Sequence, residues 1–169
     1  MMKALFALLS ALAAMPAAAD IRVTDDTGRT VVLSAPAQRI VSLAPHVTEL
    51  VYAAGAGAKL VGVVQYSDYP EAARAVPRVG SYTAVDMEAV VALKPDLVIA
   101  WKSGNRNQQY DRLERLGIPV FVNEPRSLDD VARSIETFGR LAATSAEAGA
   151  AATAFRARRD ALAARHPQR

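Results

Sequence analysis

The stretch RIVSLAPHVTEL at residues 39–50 decides the fold. Its first five residues, RIVSL, form a compact β-branched run, which is the pattern of a buried strand in a parallel sheet. Pro45 suits the first turn of a helix, where its missing N–H needs no partner. Val47 and Leu50 then follow with helical spacing, and Gly55 is placed to end the helix. This stretch therefore predicts a buried strand followed directly by a helix.

The same alternation recurs along the chain. Further strands are predicted at 60–64 (LVGVV), 96–100 (DLVIA) and 119–122, with helices between and after them. A β-hairpin around Asp26-Thr27-Gly28 precedes these elements, and an alanine-rich helix at about 145–165 follows them. The pattern predicts the α/β class. We expect a single Rossmann-like lobe in which a mainly parallel sheet is flanked by helices.

Composition and charge indicate one folded domain and argue against a nucleic-acid-binding function. The chain has 169 residues, of which 51% are apolar, so it can bury the core of one domain. Its 20 basic and 17 acidic residues give a net charge of +3 and are interspersed. A nucleic-acid-binding protein would concentrate Lys and Arg on one face, so nucleic acid is not an expected partner.

The amino terminus has the pattern of a signal peptide. Lys3 precedes an apolar run that is too short to span a bilayer, and Ala17-Ala18-Ala19 forms a small-residue cleavage site. We predict cleavage of residues 1–19 and export to the periplasm. The chain has no cysteine, so we expect neither disulfides nor a lipid anchor, and no other segment is apolar enough to embed in a membrane.

Motifs for catalysis were not found. A dinucleotide-binding glycine motif, a phosphate-binding lysine motif and a hydrolase nucleophile elbow are all missing from the sequence. His46 and His166 are the only histidines and are far apart, which makes a poor metal site. His46 is predicted to cap a helix or face solvent. The sequence favours binding over catalysis, and no cofactor is expected.

Aromatic residues are concentrated in the predicted loops. In an open α/β sheet, the loops that follow the strands meet at one edge and form the ligand crevice. Flat rings displayed there would suit a broad, partly apolar ligand. The aromatic residues in these predicted loops are Tyr66, Tyr69, Tyr82 and Trp101.

Several of these segments are similar to those of the periplasmic vitamin B12-binding proteins. The segments are QYSDYP at 65–70, VGSYTAVDMEAVVALKPDLVIAW at 79–101, and Gly104-Asn105. The wider stretch from residue 39 to about 165 resembles the iron-chelate/cobalamin class of ABC-importer binding proteins (class III substrate-binding proteins). The opening hairpin, VTDDTGRTVVL, is also typical of that class.

The resemblance implies two α/β lobes joined by one long helix, with the ligand between the lobes. It divides this chain into the signal peptide 1–19, an amino-terminal lobe at 20–143 and the connecting helix at 144–169, without the carboxyl-terminal lobe. It implies a monomeric, non-enzymatic protein that binds cobalamin or a related corrinoid and delivers it to an ABC permease and its ATPase.

The resemblance also assigns residues. Tyr66, Tyr82 and Trp101 correspond to ligand contacts, although the position of Tyr82 is commonly Trp in the cobalamin-binding proteins. Glu88 corresponds to a surface glutamate that docks on arginines of the permease. As an acidic residue in a helix's first turn, Glu88 would also stabilise the helix dipole without a partner.

Other functions remain open at this point. Haem would need an axial ligand, for which Tyr66, Tyr82 or His46 could serve. A ferric siderophore would favour basic groups such as Lys102 and Arg106. A third hypothesis is a periplasmic interaction or sensor domain in which Glu88 contacts a partner other than a permease. A fourth hypothesis is a single lobe without activity.

Overall fold

The computed structural model describes residues 20–165, apart from the side chain of Asn107. The signal peptide predicted at residues 1–19 lies outside the described part of the chain.

The described residues form six strands and five α-helices in the predicted alternation. The strands are β1 (Ile21–Thr24), β2 (Thr30–Leu33), β3 (Ile40–Ser42), β4 (Leu60–Val63), β5 (Leu97–Trp101) and β6 (Val120–Asn123). The helices are α1 (Pro45–Ala53), α2 (Met87–Ala92), α3 (Asn107–Arg115), α4 (Leu128–Ala142) and α5 (Ser145–Arg165). Two short 3-10 helices lie at Gly57–Lys59, between α1 and β4, and at Glu71–Ala75, between β4 and α2.

Four of the strands form the predicted parallel sheet, in the order β4-β3-β5-β6. β1 and β2 pair separately as an antiparallel hairpin. The order reverses between β3 and β5, because the chain first moves outward to β4 and then crosses back over β3. Such a topological switch point is where open α/β sheets leave a crevice at the carboxyl ends of their strands.

Alternate residues of the strands fill two cores, one on each face of the sheet. One core lies between the sheet and α1, α4, α5 and the hairpin, and includes Ile40, Ile99 and Phe138. The other lies under α2 and α3 and includes Val41 and Val98. Period-two alternation explains why neighbours such as Ile40 and Val41 enter different cores. The lobe is therefore a three-layer sandwich, as predicted.

Local sequence signals set the helix ends. The Asp86 carboxylate accepts hydrogen bonds from the backbone N–H groups at the start of α2. Ser127 and Asp130 form a reciprocal capping box at the start of α4. Gly55, just after α1, has a positive φ of 76°. These termination signals act within one turn, so the sequence alone could predict them.

Asp25 holds the hairpin to the end of β6. Its side chain is fully buried and accepts hydrogen bonds from the Thr27 hydroxyl (2.6 Å), from the Arg29 backbone (3.0 Å) and from the Val122 backbone (3.4 Å). Burial alone would raise the pKa of Asp25, but the hydrogen bonds from Thr27 and Arg29 outweigh it and hold the pKa below its ordinary value.

Asp25→Asn is expected to lower the free energy of unfolding by about 2–3 kcal/mol at neutral pH, the usual worth of hydrogen bonds to a buried charge. Because the folded-state pKa is depressed, this stabilisation is present above the unfolded-state pKa and is lost as the pH falls through the folded-state value. Urea unfolding at a series of pH values measures it. A difference between wild type and variant that stays constant from neutral pH to strong acid would contradict this account.

One boundary prediction was wrong. Trp101 was expected in a loop, but it is the last residue of β5 and pairs with Asn123 of β6. The parallel ladder continues past the apolar run because the partner strand is available there. Trp101 therefore stands on the rigid end of a strand.

The first half of α5 packs on the lobe through buried Ala148 and Ala152, whereas residues 160–165 are exposed. Ala148 lies against Gly139 of α4 so closely that a Cβ atom at Gly139 would overlap it. None of the helices within residues 20–165 has both the length and the apolar character needed to cross a membrane.

Candidate ligand-binding site

Two of the three predicted ligand contacts meet at the switch point. The indole of Trp101 and the phenol ring of Tyr82 lie 5.8 Å apart between centroids and are tilted by 49°. Trp101 is half-buried, and 36% of Tyr82 is exposed. The pair thus presents aromatic surface to solvent at the carboxyl edge of β5, where a ligand could lie against it.

Gly104 allows Trp101 to take this position. The benzo ring of the indole lies directly over the Gly104 Cα, and a Cβ atom there would overlap the Cε3 and Cζ3 atoms of Trp101. The turn after β5 therefore depends on glycine because of close side-chain approach.

Asn105 connects the loops around the pair. It is buried, and its Oδ1 atom accepts a hydrogen bond from the Trp101 backbone N–H at 2.6 Å. Its Nδ2 group donates to the carbonyl oxygens of Leu43 (3.0 Å) and Tyr82 (2.7 Å). One amide thus fixes the end of β5, the end of the β3 segment and the Tyr82 loop relative to one another. This role of Asn105 was not predicted from the sequence.

Tyr66 lies farther along the same edge, after β4. Because β3 separates β4 from β5, the ends of these two strands are about 10 Å apart, two inter-strand spacings. Trp101 is the end of β5, whereas Tyr66 lies in the loop after Val63, the last residue of β4. Within residues 20–165, no ring stacking joins Tyr66 to Tyr82 or Trp101. The three predicted residues therefore share one edge, but only two of them touch.

Tyr66 is held with unusual exposure and backbone geometry. It is 74% exposed and has a φ of +65°, which is uncommon for a residue other than glycine. On one side the Gln65 N–H donates to the carbonyl oxygen of Gly80 at 2.8 Å. On the other, the buried Ser67 hydroxyl is hydrogen-bonded to the Thr48 hydroxyl at 3.1 Å. A backbone conformation of this kind persists only where the surrounding structure holds it. Such residues are concentrated at ligand-contacting positions.

The prediction for His46 was wrong. The residue neither caps α1 nor faces solvent, but packs half-buried against Trp101 with ring centroids 5.2 Å apart and planes nearly perpendicular. Burial lowers the pKa of His46 below its ordinary value, and Asn123 and the negative charge of Glu124 oppose that shift only in part. Its Nε2 atom is buried, so it does not point toward a ligand above the edge.

The loop after β6 is held in place by hydrogen bonds to the hairpin. Asp26 accepts hydrogen bonds from the Asn123 side chain (3.0 Å) and the Glu124 backbone (2.6 Å). The Glu124 carboxylate in turn accepts from the Ser103 backbone N–H (3.1 Å) and hydroxyl (3.0 Å). Charged groups therefore support the loops from the side, while the aromatic pair occupies the exposed surface.

Glu88 lies in the first turn of α2. It is exposed, and within the described part of the chain its carboxylate forms neither an ion pair nor a hydrogen bond. An apolar groove of about 370 Å³ adjoins it and is lined by Met87, Val91 and Leu116 among others.

A second cavity is a weaker candidate. It has a volume of about 250 Å³ and lies between the hairpin and α3. Its charged lining residues, Arg29 and Glu114, pair with each other at 3.0 Å and so leave little polar capacity for a ligand. No group of three or more metal-ligating acidic, histidine or cysteine side chains occurs within residues 20–165.

The comparisons with known proteins agree with this architecture. Residues 40–169 match a family described as periplasmic binding protein. The chain belongs to the periplasmic binding protein family. Its mainly parallel sheet with flanking helices is the fold of one α/β lobe of such a protein.

Similar relatives of this family member include vitamin B12-binding proteins. One from Vibrio campbellii is 43% identical over 127 residues, covering 75% of this chain and 46% of that protein. One from Yersinia pestis is 43% identical over 120 residues, covering 71% of this chain and 43% of that protein. The chain thus spans about half the length of the curated relatives it matches.

Solved structures of periplasmic binding proteins are also similar to this chain. The periplasmic vitamin B12 binding protein of Vibrio cholerae matches with a TM-score of 0.74 and 42% identity, covering 77% of this chain and 51% of that one. A periplasmic heme binding protein from Pseudomonas aeruginosa matches with a TM-score of 0.67 and 30% identity, covering 72% and 44%.

Proposed function

We propose that this chain is the ligand-binding lobe of a periplasmic protein that captures cobalamin and delivers it to an ABC importer. The Trp101–Tyr82 pair carries the proposal, because it displays flat aromatic surface at the switch point where this fold binds ligands. The similarity to vitamin B12-binding proteins over three quarters of the chain supports the choice of ligand.

The proposed contact surface consists of Trp101 and Tyr82, with Tyr66 across the edge. A large planar ligand would lie over the half-buried pair, and the exposed phenol of Tyr66 would contact it from the β4 side. Rigid aromatic side chains give large contact areas at low cost in conformational entropy. The role proposed here is binding without catalysis.

Glu88 is the proposed docking residue for the permease. Its carboxylate is exposed and available for an arginine of a partner, and the apolar groove beside it would add area to the contact. We further propose that residues 20–143 form the lobe and that the helix from 144 onward connects it to a second one. The exposure of α5 beyond its first turns supports this division. The proposed location is the periplasm, with the signal peptide removed during export, and the proposed state is a monomer.

Haem is the second candidate ligand, favoured by the similarity to the heme binding protein of Pseudomonas aeruginosa. The exposed Tyr66 phenol could approach an iron atom from solvent, whereas the buried Nε2 of His46 could not. A haem site would therefore use Tyr66 or Tyr82 as the axial ligand.

Absorbance of ligand-loaded protein distinguishes the two. The chain is incubated with excess cyanocobalamin or haemin, passed through a desalting column, and its visible spectrum recorded. We expect the corrin spectrum to co-elute with the protein. Retention of haemin with loss of cyanocobalamin would assign the haem function instead, and retention of neither would contradict both.

A further inference from the structure

Three groups hold the Trp101 indole, and they differ in how they can respond to their surroundings. Gly104 supports it by close approach of its backbone, and Tyr82 lies beside it on a partly exposed loop. His46 is the one titratable ring among them with a buried end, and it contacts the indole at 5.2 Å with a perpendicular geometry.

The backbone of His46 and the Asn123 side chain beside its ring are both fixed by neighbouring contacts. His46 is the second residue of α1, directly after Pro45, so its backbone is fixed by the helix. Its Nε2 atom and the Oδ1 atom of Asn123 are both buried, and within residues 20–165 neither has a hydrogen bond of ordinary geometry, although Asn123 is close enough to act on the imidazole's pKa. The Asn123 amide cannot turn away, because its Nδ2 group is bound to Asp26 (3.0 Å) and to Ser134 (2.8 Å).

We propose that His46 is a positioning residue for Trp101, whose uncharged imidazole sets the angle at which the indole meets the ligand. This inference rests on the proposed function for its consequence in binding, but the support of the indole itself is a property of the ligand-free protein. A positive charge or a smaller side chain at this place would let the indole rotate away from the edge.

The charged groups around His46 allow this arrangement to respond to acid. Glu124 lies just after β6, and Asp26 is hydrogen-bonded to Asn123. Lys102 lies just after β5, and its backbone N–H donates to the carbonyl oxygen of Asn123. Burial keeps the imidazole uncharged at neutral pH, because its pKa lies below the ordinary value. Protonation in acid would leave a charged group with a buried nitrogen, a state that favours movement of the ring toward solvent.

The chain offers a direct probe, because Trp101 is its only tryptophan and all indole fluorescence comes from it. A protonated imidazole quenches a neighbouring indole. We expect the wild-type emission to fall on acidification with a midpoint below pH 6.5, the ordinary histidine value. His46→Phe, which keeps a ring but cannot titrate, should show no such transition. His166→Gln, which alters the other histidine, should keep it.

Affinity for cyanocobalamin at neutral pH gives the second readout. His46→Ala is expected to weaken binding about 5-fold, as for loss of an aromatic pair contact. His46→Phe should recover most of that loss and remove the acid dependence of binding. Circular dichroism confirms that each variant is folded.

The outcomes separate the two claims. A wild-type emission that does not change between pH 8 and pH 4, or that changes equally in His46→Phe, would overturn the positioning role regardless of ligand. Equal cyanocobalamin affinity of wild type and His46→Ala would overturn its role in binding. If no form binds cyanocobalamin but the fluorescence transition depends on His46, the proposed function fails and the support of Trp101 by His46 stands.

Discussion

Gly104→Ala is expected to weaken cyanocobalamin binding by at least about 10-fold, because it displaces the Trp101 indole. The added methyl would occupy the space of the indole's benzo ring. The indole is half-buried at an open edge, so it can move toward solvent instead of straining the core. We therefore expect the free energy of unfolding to fall by only about 1 kcal/mol, the low end for overpacking.

Fluorescence and ligand titration together measure this effect. In Gly104→Ala the Trp101 emission should shift to longer wavelength as the indole becomes hydrated. Gly149→Ala is the matched control, since a Cβ atom at Gly149 meets nothing within 4 Å and an alanine suits the middle of α5. Unchanged emission and affinity in Gly104→Ala would show that the indole is not held as described.

Asn105→Ala is expected to cost about 2–4 kcal/mol of folding free energy and to disorder the edge loops. The substitution removes three hydrogen bonds, one buried and two part-buried, and leaves the carbonyl oxygens of Leu43 and Tyr82 without this donor. A buried polar group that loses its partner costs about 1–3 kcal/mol. The Tyr82 loop would also lose its link to β5, so ligand binding should weaken in the same variant.

Urea unfolding tests the stability effect. Gln108→Ala, which truncates an exposed amide close by in α3, serves as the control and should change the unfolding free energy by less than about 0.5 kcal/mol. Asn105→Asp keeps the acceptor but loses both donated bonds, and at neutral pH it should be destabilised at least as much as Asn105→Ala. A loss below about 1 kcal/mol in both variants would contradict the connecting role of Asn105.

The elements of the fold could be predicted because their signals are local. Pro45 and Gly55 bound α1, Asp86 caps α2, and Ser127 with Asp130 caps α4, each within a few residues of the end it sets. The continuous apolar runs predicted a parallel sheet. The strands need such runs because both faces of the sheet are covered by a hydrophobic core.

The details of the site could not be predicted in the same way, because they depend on contacts between distant residues. Asn105 bonds Leu43, which is 62 residues away, and Trp101 joins β5 only because β6 lies beside it. The sequence places His46 at the start of a helix, but its contact with Trp101 depends on how α1 packs beside the end of β5. The Gly104-Asn105 pair shortly after Trp101 is visible in the sequence, but the residues that it contacts cannot be deduced from it.

Equilibrium dialysis of cyanocobalamin against the wild-type chain and Trp101→Ala tests the central claim most directly. The aromatic edge account predicts saturable binding to wild type and at least about 30-fold weaker binding to Trp101→Ala, the loss of a main aromatic anchor. Leu162→Ala, which truncates an exposed side chain on α5, should bind as wild type does. Equal affinity of wild type and Trp101→Ala would contradict the assignment of this edge as the binding site.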